Sequence, residues 1–201
     1  MKRLQCETEA KDYYREKLRL FGNGPQGADW SSRSAQIDRF EALTSGIGRY
    51  EGIIDFGCGV GALYEYLMAE GYSGNYCGFD LLDEAVTIAS STYGSHFTNS
   101  ASSLERADHV IASGLFNVKN SASNSDWENY IEGILHQMTS LALTSLRFNL
   151  LPPNPTVKNP RGDLYFADLN WLCDVSRRLS WRSMTLQSQR KVFDLTIFVE
   201  V

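Results

Sequence analysis

Residues 53–61 read Ile-Ile-Asp-Phe-Gly-Cys-Gly-Val-Gly, and this stretch decides the fold. A short apolar run ends in glycines and leads into a segment whose apolar residues recur at helical spacing from Leu63 onward. The pattern predicts a strand, a tight turn and a helix. Glycines at such a turn let the backbone bend sharply and approach a ligand closely. By spacing alone, Gly57, Gly59 and Ala62 also fit the dinucleotide pattern G-x-G-x-x-G/A, so the turn predicts a cofactor site without fixing the cofactor.

The same alternation of apolar runs and helical segments continues on both sides of this stretch. Two helical segments precede it, and residues 192–201 alternate strictly between apolar and polar side chains, which favours an antiparallel hairpin at the end. We therefore expect an α/β fold: a Rossmann-like, doubly wound, mostly parallel seven-stranded sheet with a C-terminal antiparallel hairpin, helices on both faces and an N-terminal helical cap. The predicted strands are 53–56, 75–80, 96–98, 108–113, 146–151, 181–187 and 192–201.

Two later helices have recognisable sequence signals. Ser125 and Glu128 have the spacing of a capping box, which predicts a helix that starts there and continues through Met138. A second apolar stripe runs from Tyr165 to Leu179 and predicts a helix after the fifth strand.

Composition limits the possible functions. A chain of 201 residues that is 43% hydrophobic can bury one substantial core, so we expect a single domain over 1–201, with a helical cap at 1–48 and a Rossmann-like core at 50–201. The net charge of -5 argues against a nucleic-acid partner. Four scattered cysteines without a CxxC pair predict reduced thiols and no metal site. We expect a soluble cytoplasmic protein without a membrane segment, as a monomer or homodimer.

Two carboxylates separate the possible cofactors. The stretch 54–61, in which Asp55 precedes the glycines, resembles the first motif of class I, Rossmann-like S-adenosylmethionine-dependent methyltransferases. The resemblance implies that S-adenosylmethionine is the cofactor and that Asp55 helps to fix its ammonium group. Asp80, at the end of the next strand, matches the family's acidic residue for the ribose hydroxyls. The terminal hairpin is typical of the same family, and the specific motifs cover residues 50–118.

Further cofactor contacts follow from these positions. The loop residues would lie along the methionyl part, Leu81 could pack on the adenine, and Asn99 could meet the adenine amino group. The chain departs from the family here, because no acidic residue closes the third strand. Ser113 and Gly114 follow the fourth strand, where ligands of open α/β sheets bind. The cofactor-binding residues predicted are Asp55, Gly57, Cys58, Gly59, Gly61, Asp80, Leu81, Asn99, Ser113 and Gly114.

Acceptor and catalytic residues are predicted from topology. Methyl transfer is an in-line displacement that mainly requires alignment and exclusion of water. Aromatic residues of the cap suit an apolar acceptor, whereas Arg33, Lys158 and Arg161 suit a carboxylated or phosphorylated one. The acceptor-binding residues predicted are Tyr14, Trp30, Arg33, Phe116, Lys119 and Asn149. The catalytic residues predicted are Asn117, Tyr165 and Asp168, of which Tyr165 and Asp168 would assist a hydroxyl acceptor.

The sequence leaves three functions open. The first is N- or O-methylation of a small-molecule acceptor, since the chain lacks the Asn/Asp-Pro-Pro-Tyr signature of the amine methylases of DNA bases and protein glutamine. The second uses the same cofactor for aminocarboxypropyl transfer or cyclisation and releases methylthioadenosine. The third is a noncatalytic partner subunit, against which the intact glycines and both carboxylates argue.

Overall fold

A computed structural model describes residues 2–153, 161–188 and 194–201. The helices are α1 Lys2–Phe21, α2 Arg33–Thr44, α3 Ala62–Ala69, α4 Asp83–Tyr93, α5 Asn124–Leu141 and α6 Leu169–Arg178, with short 3-10 turns at Pro25–Ala28 and Ala101–Ser103. The strands are β1 Ile53–Phe56, β2 Tyr76–Phe79, β3 Phe97–Thr98, β4 Ala107–Ala112, β5 Ala142–Leu150, β6 Ser183–Ser188 and β7 Leu195–Glu200. The predicted connection of the hairpin, 187–191, and Lys158 lie largely or wholly outside the described residues.

The seven strands form one sheet in the order β3-β2-β1-β4-β5-β7-β6. Strands β1 to β5 are parallel, and β7 lies antiparallel between β5 and β6. The predicted fold class is therefore confirmed, including the terminal hairpin. The chain builds outward from β1 to β3 and then returns to place β4 on the other side of β1. In open α/β sheets this reversal opens a crevice at the carboxyl ends of the two central strands, where ligands bind.

Apolar side chains fill both faces of the sheet. Ile53 packs with the side chains of α2 and α3, whereas the adjacent Ile54 packs with those of α5 and α6. Successive residues of a strand point to opposite faces, so a strand covered on both sides is apolar at most positions. This requirement explains the apolar residues Ile53, Ile54 and Phe56 of β1, and Asp55 is the buried exception.

The predicted capping box of α5 is wrong by two residues. The helix begins after Ser123, whose hydroxyl accepts a hydrogen bond from the backbone N–H of Asp126 at 3.1 Å and donates one to its carboxylate at 2.7 Å. Ser125 lies inside the first turn. The chain offers two overlapping pairs with the same spacing, and the structure uses the serine paired with aspartate.

The helix predicted from Tyr165 also begins later. Asp168 precedes α6 and accepts hydrogen bonds from the backbone N–H groups of Asn170 and Trp171, at 2.8 and 3.4 Å. A carboxylate in that position satisfies backbone donors that have no partner within the helix. Tyr165 therefore lies in the preceding loop, where its backbone N–H donates to the carbonyl of Asn117 at 2.9 Å.

We expect Leu146→Ala to lower the free energy of unfolding by about 2 to 5 kcal/mol, because it opens a cavity in the centre of β5. Leu146 is fully buried, whereas Leu143 on the same strand is 51% exposed. Leu143→Ala is the matched control and should change the stability by about 0.5 kcal/mol or less. Urea denaturation of both variants measures the difference, and equal losses would contradict this description of the core.

Candidate active site

A cavity of about 300 Å³ lies at the carboxyl ends of β1, β2 and β4. The loops that follow these strands form its floor, while α1, the segment around Trp30 and α2 form the opposite wall. The structure brings together here eight of the ten residues predicted for the cofactor and two of the six predicted for the acceptor. These residues are Asp55, Gly57, Cys58, Gly59, Asp80, Leu81, Ser113 and Gly114, with Tyr14 and Trp30.

The glycine loop is held against the end of β2. The backbone N–H groups of Gly57 and Cys58 both donate to the carbonyl of Phe79, at 2.7 and 3.0 Å. Gly57 has φ +86°, and a Cβ there would come within 2.9 Å of a methyl carbon of Leu115. The left-handed backbone and the close approach both require glycine. Glycine at this position therefore lets the Leu115 side chain pack directly against the loop, which leads into α3.

Asp55 ends β1 as a buried carboxylate in the wall of the cavity. Its side chain is 2% exposed and accepts a hydrogen bond from the Tyr76 hydroxyl at 2.7 Å. Burial, with a smaller contribution from the charge of Asp80, raises the pKa of Asp55 to about 7, although the Tyr76 hydrogen bond opposes this rise. A carboxylate desolvated in this way gains stability when a cationic group binds beside it.

Asp80 is oriented by two backbone groups. One of its oxygens accepts a hydrogen bond from Gly59 N–H and the other accepts one from Leu82 N–H, both at 2.8 Å. Burial raises its pKa, and the two backbone donors and the positive charge of Lys11 oppose that rise. Each oxygen keeps a further acceptor position, so a fixed carboxylate borders the cavity and can accept hydrogen bonds from a diol.

The exit of β4 contributes an unpaired hydroxyl and packs closely against the ring of Trp30. The Ser113 oxygen is buried, borders the cavity and has no hydrogen-bond partner within the part of the chain that the structure describes. Gly114 has φ +75°, and a Cβ there would come within 2.5 Å of the Trp30 ring. An unpaired buried hydroxyl is costly unless something occupies the space beside it, so Ser113 is a candidate ligand contact.

Known proteins are similar to this chain in sequence and in fold. The chain is 32% identical over 151 residues to a protein of Mycobacterium tuberculosis (strain ATCC 25618 / H37Rv) named "Putative methyltransferase Rv1506c", covering 73% of this chain and 91% of that protein. The chain belongs to the class I, Rossmann-like S-adenosylmethionine-dependent methyltransferases. The family resemblance and the enzyme class expected from the sequence are thereby confirmed. No protein-family model matches the chain.

Solved structures agree on the fold. Magnesium protoporphyrin IX methyltransferase from Synechocystis PCC 6803, crystallised with bound SAH, superposes with a TM-score of 0.66 at 16% identity, over 96% of this chain and 99% of that one. Human N-acetylserotonin methyltransferase in complex with SAM gives a TM-score of 0.58 at 13% identity, over 97% of this chain and 66% of that one. At these identities the likeness supports the shared architecture.

The remaining predicted binding residues of the methyltransferase lie outside the cavity lining. Phe116 is fully buried in the core, and the Lys119 ammonium donates to the carbonyl of Ala122 at 3.0 Å. Asn99 is exposed and donates to Asp83 at 2.7 Å. Gly61 packs against aromatic rings at the start of α3, Arg33 forms a 2.6 Å ion pair with Glu65, and Asn149 lies behind Gly114.

The three predicted catalytic residues of the methyltransferase are also absent from that lining. Tyr165 is fully buried, and its hydroxyl donates a hydrogen bond to Glu128 at 3.0 Å. Asp168 caps the N-terminus of α6. Asn117 is turned toward the loop before α6, because Val118 and Leu164 form an antiparallel bridge. The segment after β4 therefore leaves the cavity after Leu115.

Sequence reasoning missed most of the wall formed by the N-terminal helices of the methyltransferase. Glu7, Lys11 and Leu18 border the cavity together with the predicted Tyr14, and Gln36 borders it from α2. The spacing of 4, 3 and 4 residues along α1 is the signal that could have identified this face, since such residues share one side of a helix. Neither a set of three or more metal-binding side chains nor a helix suited to cross a membrane occurs among residues 2–153, 161–188 and 194–201.

We expect Asp55→Asn to change how the stability of the methyltransferase depends on pH. Native Asp55 keeps its proton up to about pH 7, whereas the ordinary value in the unfolded chain is 3.8, so its ionisation penalises the folded state as the pH rises between these values. Relative to wild type, the asparagine variant should gain about 1 to 4 kcal/mol between pH 4 and pH 7.5.

Chemical denaturation at a series of pH values measures this gain. Asp83→Asn removes an exposed carboxylate nearby and serves as the control. A pH profile of Asp55→Asn parallel to that of wild type would show that Asp55 ionises normally.

Proposed function

We propose that this methyltransferase binds S-adenosylmethionine in the cavity at the ends of β1, β2 and β4 and methylates a small-molecule acceptor. The observation that carries the proposal is the joint position of Asp55 and Asp80, which border one cavity on either side of the glycine loop. The family membership and the SAM-bound or SAH-bound relatives of the same fold support it.

The residues of the cavity fit such a cofactor. Asp80, held by two backbone donors, would accept hydrogen bonds from the ribose hydroxyls, and Asp55 would pair with the ammonium of the methionyl part. The unpaired Ser113 hydroxyl offers a further polar contact. Gly59 borders the cavity with open space beside its Cα, so a ligand can lie directly on the loop backbone there. When bound, S-adenosylmethionine supplies a sulfonium methyl group that a nucleophile displaces in line.

The acceptor would enter at the β4 end of the same cavity. Asp80 follows β2 and Gly114 follows β4, and β1 lies between these strands, so a cofactor whose ribose is at Asp80 extends across the glycine loop toward Gly114. Trp30 and Phe40 border the cavity, and their rings would help to exclude water from the acceptor. Exclusion of water and alignment of the acceptor are the main contributions that in-line transfer requires of the protein. An amine or carboxylate acceptor would need no general base.

Binding of S-adenosylhomocysteine tests the cofactor assignment. We expect the purified protein to bind it in isothermal titration calorimetry and Asp80→Ala to weaken binding by about 1 to 3 kcal/mol, the range for a lost hydrogen bond to a charged group. Asp83→Ala removes an exposed carboxylate three residues away that does not border the cavity, and its affinity should match wild type. Undiminished binding by Asp80→Ala in a folded protein would refute the ribose contact.

The pH dependence of the same affinity tests Asp55. Its carboxylate must lose a proton to pair with the ammonium, so the affinity for S-adenosylhomocysteine should rise by about tenfold from pH 6 to pH 8 and level off above the pKa of about 7. Asp55→Asn should bind more weakly at pH 8 and lose this dependence. If the variant keeps the wild-type pH profile, Asp55 does not bind the ammonium group.

Product analysis distinguishes methyl transfer from the other reactions open to this cofactor. Mass spectrometry of turnover mixtures should detect S-adenosylhomocysteine and a methylated acceptor. Methylthioadenosine as the product would instead show aminocarboxypropyl transfer or cyclisation.

A further inference from the structure

A cation lies behind Trp30, at one end of the cavity, and its charge is already neutralised. The guanidinium of Arg39 lies 4.5 Å from the centroid of the Trp30 ring. Its Nε and terminal nitrogen donate to the two carboxylate oxygens of Asp194, at 2.5 and 3.1 Å. Asp194 is 2% exposed and Arg39 is mostly buried, so solvent screens this pair weakly. Behind Trp30 there is thus a compensated ion pair rather than a free positive charge.

The same aspartate connects to the floor of the cavity through Asn149. The Asn149 amide donates to Asp194 at 2.7 Å, and its oxygen accepts a hydrogen bond from Gly114 N–H at 2.8 Å. Gly114 in turn packs against Trp30. Asp194 therefore accepts three hydrogen bonds and fixes both the backbone and the aromatic ring of this end.

The other cations near this end also form ion pairs with carboxylates. Arg33 pairs with Glu65, and Arg161 pairs with Asp163 at 2.6 Å and with Asp29 at 3.3 Å. Arg33, Lys158 and Arg161 were the residues expected to favour an anionic acceptor, and Lys158 lies outside the described residues. Neither Arg33 nor Arg161 borders the main cavity within the described residues, and neither has a free charge to offer there.

The cations that do border the cavity belong to its other end. Arg3 lies against Gly133 of α5, and Lys11 is close enough to Asp80 to oppose the rise in the pKa of that carboxyl. Both residues lie in the first half of α1, on the side of the proposed ribose contact. The Trp30 end is bordered instead by Trp30, Phe40 and the buried Gln36, which are two aromatic rings and an uncharged amide.

We propose that the Trp30 end takes a neutral, planar acceptor, such as an aromatic or heteroaromatic alcohol or amine without a carboxylate or phosphate beside the ring. This inference rests on the proposed function and names its substrate class. An anion here would be desolvated against aromatic side chains, and residues 2–153, 161–188 and 194–201 offer no unpaired cation at this end to compensate it, which is strongly unfavourable. A flat neutral ring would contact Trp30 and Phe40, and the Gln36 amide could bond its polar group.

Two probes of the same shape and different charge test the inference. 2-Naphthol and 2-naphthoate are titrated at pH 7 into protein saturated with S-adenosylhomocysteine, and binding is followed by calorimetry and by protein NMR. We expect 2-naphthol to bind at least about tenfold more tightly than 2-naphthoate, because only the anion loses hydration without compensation. Trp30→Ala should weaken 2-naphthol binding by about tenfold or more, and Trp30→Phe should restore part of it.

Release of Arg39 supplies an independent test. Asp194→Asn removes the charge that compensates Arg39, so the affinity for 2-naphthoate should rise by about threefold or more, and high salt should reduce the gain. The matched control is Glu132→Gln, since Glu132 forms an equivalent two-bond pair with Arg178 outside the cavity. That variant should leave both probe affinities unchanged.

The outcomes separate this inference from the proposed function. Absence of S-adenosylhomocysteine binding by wild-type protein would refute the proposed function. If S-adenosylhomocysteine binds but the naphthoate binds as tightly as the naphthol, or neither probe binds, the neutral-acceptor assignment is wrong. The wild-type comparison decides this even if Asp194→Asn fails to fold, which thermal denaturation would detect.

Discussion

The two hydrogen bonds from the glycine loop to the Phe79 carbonyl are the constraint on which the site depends. They join the exit of β1 to the exit of β2, so the carboxylates that end these strands lie beside one another. The next N–H of the loop, that of Gly59, then meets Asp80 and fixes the direction of its carboxylate. Three consecutive backbone donors thereby convert a turn into a rigid binding floor, and the left-handed φ values of Gly57 and Gly59 exclude most side chains at those two positions.

The antiparallel hairpin brings the second fixed group to the same edge. Because β7 runs opposite to β5, the beginning of β7 lies at the carboxyl end of β5, where Leu195 pairs with Leu150. Asp194 immediately precedes β7 and so reaches Asn149 and the exit of β4. A parallel strand in that place would have put its carboxyl end at this edge instead. The reversed strand thus supplies an acidic residue to a site that the parallel strands otherwise build alone.

Sequence reasoning succeeded where a signal is local. Both ends of β1 were predicted, since a mostly apolar run followed by glycines has few alternatives, and Asp80 was placed at a strand end by the repeated alternation of strands and helices. The start of α5 was missed because two overlapping serine caps compete. The contacts that Lys11 and Asp194 make around the site could not be predicted from local signals. They depend on how α1 packs over the sheet and on a strand reversal, which bring residues distant in sequence together and leave only weak local patterns.

The contacts that hold α1 against the rest of the protein affect the access of ligands to the cavity. Cys6 is the one buried side chain in residues 3–21, so this helix gains little from apolar burial. Surface pairs hold it instead, such as Arg15 with Glu84 on α4 and Lys17 with Asp29, each at 2.7 to 2.8 Å. Ion pairs near the protein surface each contribute little to stability, whereas β1 beneath the helix is buried along its whole length. The helix that covers the cavity therefore gains less from burial than β1 beneath it, and a local opening of this helix would admit ligands without disturbing the glycine loop.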